Sequence, residues 1–265
     1  MDWSDIRRVP VATATTAPSG RTNAHVVGQS ACLLVDPADR TGDLDAALAD
    51  RDVCHVALTH HHPDHTGAVA DYAREWDLTV WARAGRESAF EAATGIAPDR
   101  TFGPGGTLPV VGGVEVLDTP GHAPEHVAFR TGDVLLSGDL ALASGSVVVG
   151  APEGDMRAYL SSLRRVAARN PARLYPGHGP VVDDPRATCR RLLAHRRDRE
   201  HRVLAAVQAG RESPGEIVEF AYDRDVSGLV ALARATVVAH LEKLAVEGRV
   251  RWDGTRASPG ARRRG

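Results

Sequence analysis

The stretch Thr59-His60-His61-His62-Pro63-Asp64-His65-Thr66-Gly67 places four histidines and one aspartate within six consecutive positions, at the end of the apolar run Val-Cys-His-Val-Ala-Leu-Thr. Few local patterns constrain a fold as tightly. Side chains alternate along an extended backbone, so an apolar strand ending in His-x-His directs His60 and His62 to one side and His61 to the other. Pro63 suits the first turn of a helix. Asp64 and His65 then stand at a helix start, close to the same point. The arrangement is either a metal cage or a polar turn with solvated histidines. The second reading requires nothing else of the chain, whereas the first requires further ligands elsewhere.

Three later positions supply them. His122 follows an apolar run in Leu-Asp-Thr-Pro-Gly-His, Asp139 ends Leu-Leu-Ser-Gly-Asp, and His178 lies in Leu-Tyr-Pro-Gly-His-Gly. Each is delivered by a strand end into a loop, where layered folds build their sites. The three cysteines, Cys32, Cys54 and Cys189, are far apart and form no CxxC pair. This argues against a disulfide framework and against a thiolate zinc knot. Cys32 and Cys54 are expected in the core. Any metal is therefore held by imidazole and carboxylate, a donor set that suits zinc best and also iron or manganese.

The chain has 265 residues, 43% of them hydrophobic and 25% charged, which is ordinary for a globular protein. Its start has no apolar signal region, and no run approaches a membrane span, so a cytoplasmic location with no membrane partner is expected. Strand and helix patterns alternate from residue 9 to the helix expected over "PDHTGAVADYAREW", followed by the strand "LTVWARA". Residues 101–149 read as Gly- and Pro-broken hairpins, including "GSVVVG" as a strand. "DMRAYLSSLRRVAARN" reads as an amphipathic helix. From about residue 186 the pattern turns helical: a long helix ending at Gly210, a capping box at Ser213 and Glu216, a further helix, and a small strand or wing after Gly248. "TRASPGARRRG" reads as a frayed tail. Two units follow, 1–185 and 186–265. Residues 186–265 carry 17 Lys and Arg against 10 Asp and Glu, and the remainder 15 against 24. The unlike halves suggest modules with different partners.

The set His60-x-His62-x-Asp64-His65, His122, Asp139, His178 resembles the metallo-β-lactamase superfamily, over residues ~9–185. The resemblance implies an α/β fold, an αββα sandwich of two mixed sheets, with a metal pair, two Zn2+ or else Fe or Mn, at the sheet edges. By position it assigns His60, His62 and His122 to the first metal, Asp64, His65 and His178 to the second, and Asp139 to the bridge. An aspartate where the true β-lactamases carry a cysteine points away from antibiotic hydrolysis. The tail looks like the winged-helix-type extension of the lactamase-beta-2-like branch, which is related in layout to hydroxyacylglutathione hydrolases. Some members of that branch cleave single-stranded RNA, and others are thioesterases.

Two close divalent ions acidify a bridging water to give hydroxide near neutral pH. The expected reaction is attack of that hydroxide on an acyl thioester or related ester, small or carrier-bound. Asp64 is the candidate catalytic residue that orients the hydroxide. His126 is either a substrate-side group, acting on a leaving group or oxyanion, or a packing histidine behind the ligands. His25 either borders the pocket or is solvated. The remaining histidines, His55, His195, His201 and His240, read as structure or surface. The alternative function is a metal-dependent endoribonuclease on single-stranded RNA, with the basic tail tracking phosphates. Against it, the tail offers few aromatics for stacking bases. The tail can equally be a lid or a homodimer element. A binding module without catalysis gives no reason for so complete a ligand set.

Overall fold

The structure, a computed structural model, describes residues 6–110, 112–223 and 227–260. Alternation along β3 (Cys32–Val35) sends its side chains into two different cores. Leu33 and Val35 face one, while Cys32 and Leu34 face the other. The same split recurs at Leu135 and Leu136, and at Val116 and Leu117. A strand that is apolar on both faces must be covered on both, and that requirement builds the layers.

One sheet runs in the order β1 (Ile6–Ala12), β2 (Arg21–Val27), β3, β4 (Val53–Ala57), β5 (Thr79–Arg83) and β6 (Arg100–Phe102). Its first two pairings are antiparallel and the rest parallel. The second sheet runs β11 (Arg173–Pro176), β10 (Val134–Gly138), β9 (Val127–Thr131), β8 (Val114–Asp118) and β7 (Thr107–Leu108). Only its β10–β11 pairing is parallel. Between the sheets lie Leu33, Val35, Phe102, Val116, Phe129 and Leu136. Outside the first sheet, α1 (Gly42–Ala49), α3 (Val69–Glu75) and α4 (Glu87–Thr94) bury Leu44, Leu48, Tyr72 and Phe90. Outside the second, α5 (Met156–Arg169) and the first half of α6 (Pro185–Gln208) bury Tyr159, Leu163 and Leu192. The expected αββα sandwich therefore forms. Each buried large side chain contributes roughly 1.5–3 kcal/mol, so the stacked faces outweigh any local preference.

The C-terminal part has its own core of Val203, Val207, Ile217, Val237, Leu241 and Val250. It is built from the second half of α6, α7 (Pro214–Ala221), α8 (Val230–Val246) and a hairpin of β12 (Val250–Trp252) and β13 (Ala257–Pro259). The capping box of Ser213 and Glu216 starts α7 as expected. α6 thus serves two cores: Cys189 and Leu192 in the main one, Val203 and Val207 in the other.

Five local readings are corrected. The helix expected after Pro63 is two pieces, α2 (Pro63–Thr66) and α3, broken near Gly67. A Cβ on Gly67 would stand 2.3 Å from the Ala38 carbonyl oxygen, so the chain packs backbone on backbone there. α4, absent from the expected elements, buries only Phe90, and a helix without a strong apolar stripe leaves no periodic signal. "GSVVVG" pairs with no strand among the described residues and runs as an irregular loop. The tail is not frayed through residue 260, because Ala257–Pro259 pairs with β12; residues 261–265 lie outside the described residues. Cys32 is buried, whereas Cys54 is only half-buried. No described helix is long and apolar enough to cross a membrane.

Candidate metal centre

Every ligand expected from the sequence follows the C-terminal end of a strand. His60 and His62 lie beyond β4, with Asp64 and His65 on α2, while His122 follows β8, Asp139 follows β10 and His178 follows β11. The fold brings all seven together. His60, His62 and His122 form one group, Asp64, His65 and His178 another, and His60, His65 and Asp139 a third, each with its ligand atoms within 4.8 Å of one another. His122 Nε2 stands 2.9 Å from His62 Nδ1. Asp139 Oδ2 stands 3.6 Å from His122 Nε2 and 3.3 Å from His178 Nε2, between the two histidine groups. His178 Nε2 is 3.5 Å from Asp64 Oδ2. His61 faces away, as alternation demands, with its ring edge-on to Phe90.

The donor atoms match what a cation needs. His60 Nε2, His65 Nε2 and Asp139 Oδ1 are buried and have no hydrogen-bond partner. Leaving three such atoms orphaned would cost about 1–3 kcal/mol each, so their convergence fits a bound ion. The opposite ring nitrogens are held from behind. His60 Nδ1 meets Thr59 Oγ1 at 3.0 Å, and His65 Nδ1 lies 3.1 Å from Asp36 Oδ2. His122 Nδ1 meets the Val148 carbonyl at 2.6 Å, His178 Nδ1 the Arg21 carbonyl at 2.8 Å, and His62 Nε2 Glu153 Oε2 at 3.1 Å. Such partners fix which nitrogen faces a metal. The side chains of His62 and Asp64 are 29% and 17% exposed, against 0–10% for His65, His122, Asp139 and His178, so the cage opens on their side.

Electrostatics sort the cage further. Burial pushes His60 well below the ordinary histidine value, and neighbouring histidines push the same way. Burial likewise lowers His122 against the pull of Asp139. Burial also opposes charge on His65, yet Asp36, with Asp139 and Asp64, raises it to about 9. Burial disfavours the Asp139 carboxylate, but the His178 hydrogen bond and the charges of His65 and His122 outweigh it and hold Asp139 below the usual carboxylate range.

His126 lies beneath the cage rather than at its open face. Its residue is fully buried. Nδ1 meets Thr119 Oγ1 at 2.9 Å, and Nε2 accepts the backbone N–H of Asp139 at 3.0 Å. Both ring nitrogens are engaged, and burial lowers its pKa to about 3. The expectation of a substrate-side catalytic group is corrected to the packing alternative: no ring nitrogen is left for a substrate. His25, expected near the pocket or in solvent, is buried in β2 against Tyr175.

The groups behind the ligands are the ones sequence reasoning misses. Asp36, which reads as a turn residue, is buried at a φ of 52° and accepts from the Thr59 amide at 2.7 Å and the Thr59 hydroxyl at 2.7 Å. A carboxylate directly after an apolar strand is the available signal, the same one that marks Asp139. Asn23 donates to the carbonyls of Pro176 and Gly179, both at 2.9 Å, and so fixes the loop carrying His178. No sequence signal points to Asn23 or Glu153.

The family model described as "Metallo-beta-lactamase superfamily" matches residues 18–178, and that described as "Beta-lactamase associated winged helix domain" matches residues 213–258. The Drosophila melanogaster "Beta-lactamase-like protein 2 homolog" is 31% identical, with 87% of this chain and 84% of that protein covered. The "Atrochrysone carboxyl ACP thioesterase AgnL7" of Paecilomyces divaricatus is 30% identical, with 85% and 71% covered. The chain spans 64% and 60% of the length of lactamase-like proteins from Penicillium aethiopicum and Aspergillus niger. Among solved structures, a metallo-beta-lactamase family protein of Thermus thermophilus superposes with a TM-score of 0.77 at 27% identity, covering 97% of this chain and 99% of that one.

Proposed function

Because the chain belongs to the metallo-β-lactamase superfamily, we propose that it is a dinuclear, zinc-dependent hydrolase of acyl thioesters or related esters, small or carrier-bound. The observation that carries this reading is the convergence of the buried, unpartnered His60 Nε2, His65 Nε2 and Asp139 Oδ1 at the junction of two histidine groups. His60, His62 and His122 would hold one ion, Asp64, His65 and His178 the other, with Asp139 shared. Ions there would supply Lewis acidity toward an acyl oxygen and a water acidic enough to ionise near neutral pH.

The chain's own groups do the rest. The neutral, buried His60 and His122 present lone pairs inward. Asp139 remains ionised and offsets cationic charge at the centre. Asp64, at the open side and 3.5 Å from His178 Nε2, would accept a hydrogen bond from the attacking water and aim it. His126 fixes the backbone at Asp139 and moves no proton.

The substrate class rests on relatives named as thioesterases. The described basic side chains of the tail support it too, since many meet groups of the chain itself. Lys243 and Arg249 pair with Glu200, Arg256 pairs with Glu212, and Arg202 pairs with Asp223. Arginines so engaged are poorly placed to track an RNA backbone. The test is a paired assay of metal-loaded protein on an acyl-thioester panel and on single-stranded RNA, each with EDTA controls. EDTA-sensitive thioester turnover is expected. RNA cleavage without thioester turnover would replace this reading by the endoribonuclease one.

A further inference from the structure

The segment from Ala141 to Asp155, which joins β10 to α5, touches the cage on one side and the C-terminal helices on the other. Toward the cage, the Val148 carbonyl meets His122 Nδ1 and the Glu153 carboxylate meets His62 Nε2. Those are two of the three ligands of the first site. Toward the helices, Arg196 of α6 donates to the Val147 carbonyl. Arg191 of α6 donates to the carbonyls of Gly145 at 2.8 Å and Leu142 at 2.9 Å. The Ala151 amide donates to the Ala235 carbonyl of α8 at 3.1 Å, and a Cβ on Gly150 would stand 2.8 Å from the Ala235 Cβ. Arg196 is 4% exposed, and its guanidinium lies 5.3 Å from the centre of the Tyr159 ring. Tyr159 in turn donates to the carbonyl of Leu140, next to Asp139. Among the described residues no sheet pairing supports this segment; beyond the Asp155 amide on the Gly121 carbonyl and the Gly154 amide on that of Gly150, its backbone polar groups draw on the partners that these arginines, His122 and α8 supply.

We propose that Arg196 and Arg191 are positioning residues for the first metal site: through the 141–155 strap, the C-terminal helices set how His122 and His62 are aimed. The inference rests on the dinuclear reading above. Its physical basis is that a ligating histidine is oriented by the partner of its other nitrogen, and loss of such a partner weakens metal binding about 10–100-fold. Here those partners sit on an irregular segment that two basic side chains of α6 clamp. The Asp64, His65 and His178 site draws its rear partners from Asp36 and the Arg21 carbonyl instead, and takes none from the strap. The coupling is therefore specific to one site.

The experiment is zinc affinity by chelator competition on the full chain. It is read in two backgrounds: His178→Ala, which leaves the first site, and His122→Ala, which leaves the second. Arg196→Met is expected to weaken zinc binding about tenfold in the His178→Ala background and to leave it unchanged in the His122→Ala background. Arg196→Lys, which keeps one donor toward Val147, should restore most of the affinity. Arg191→Ala is an exposed change and Glu153→Ala removes a 64%-exposed side chain, so both test the strap even where Arg196→Met fails to fold. Each should weaken the first site alone. Unchanged first-site affinity in Arg191→Ala and Glu153→Ala, or equal weakening in both backgrounds, overturns the proposal. Uptake of fewer than two zinc ions by the unsubstituted chain overturns the dinuclear reading, and that stoichiometry is read independently of the variant comparison.

Discussion

His126 packs its ring 5.2 Å from that of His60 and accepts the backbone N–H of Asp139, and that bond gives it a measurable role. Removing its ring leaves the buried Asp139 N–H and the Thr119 hydroxyl without their partner. His126→Ala should therefore lower the stability of the metal-free protein by about 1–3 kcal/mol, seen in denaturant melts. A variant of unchanged stability that lost only turnover would return His126 to a substrate-side role. A different buried histidine, outside the cage, contributes to acid sensitivity. His240 in α8 is wholly buried, neither ring nitrogen has a hydrogen-bond partner, and burial lowers its pKa from 6.5 to about 3, with Arg196 and Lys243 adding to the effect. Its nearest acid, Glu200 Oε2, stands 4.0 Å away. Between those pH values the unfolded chain binds a proton that the folded chain refuses. Stability thus rises with pH through that window and is lost as pH falls from 6.5 toward 3. His240→Leu should reduce the stability lost between about pH 7 and pH 5 by about 2 kcal/mol, measured by urea melts at both values.

At the scale of elements, close packing of backbone against the cage sets the tolerance. The turn after β11 passes so near the ligands that a Cβ on Gly177 would stand 2.5 Å from Asp139 Oδ1 and 2.8 Å from His65 Cε1. Gly177→Ala should keep the sandwich, as judged by circular dichroism, while metal content falls sharply, because the methyl group occupies the space between two ligands. Bound metal at full stoichiometry would show that the turn can shift instead. The break between α2 and α3 has a similar origin. The short α2 carries Asp64 and His65 to the cage, and Gly67 lets the chain pass against the Ala38 carbonyl. The apolar spacing beyond Pro63 continues through this point, so periodicity read from sequence merges the two helices.

At the scale of the whole molecule, the candidate metal ligands follow strands of both sheets, so metal bound there would join them. Metal binding should therefore stabilise the fold by mass action, by about 2.7 kcal/mol at a free metal concentration of about 100 Kd. Chelation should lower Tm and abolish hydrolysis together, and added zinc should restore both; a Tm indifferent to EDTA would show that the ions do not brace the sheets. The candidate ligands could be read from sequence alone. His60, His62, Asp64, His65, His122, Asp139 and His178 are each legible because strand alternation and strand ends are local properties, readable within a few residues. The α/β alternation was legible from local patterns, whereas the αββα sandwich was expected from the resemblance that the ligand spacing carries. What stands behind each candidate ligand emerged with the packed fold. Glu153 lies 91 residues from the His62 it supports, and Asp36 23 residues from the Thr59 it holds. The packed fold also decided that α6 belongs to two cores, and that an apolar run resembling a strand is instead a strap held by arginines. Contacts between distant segments depend on how packed layers meet, and no short window of sequence carries that information.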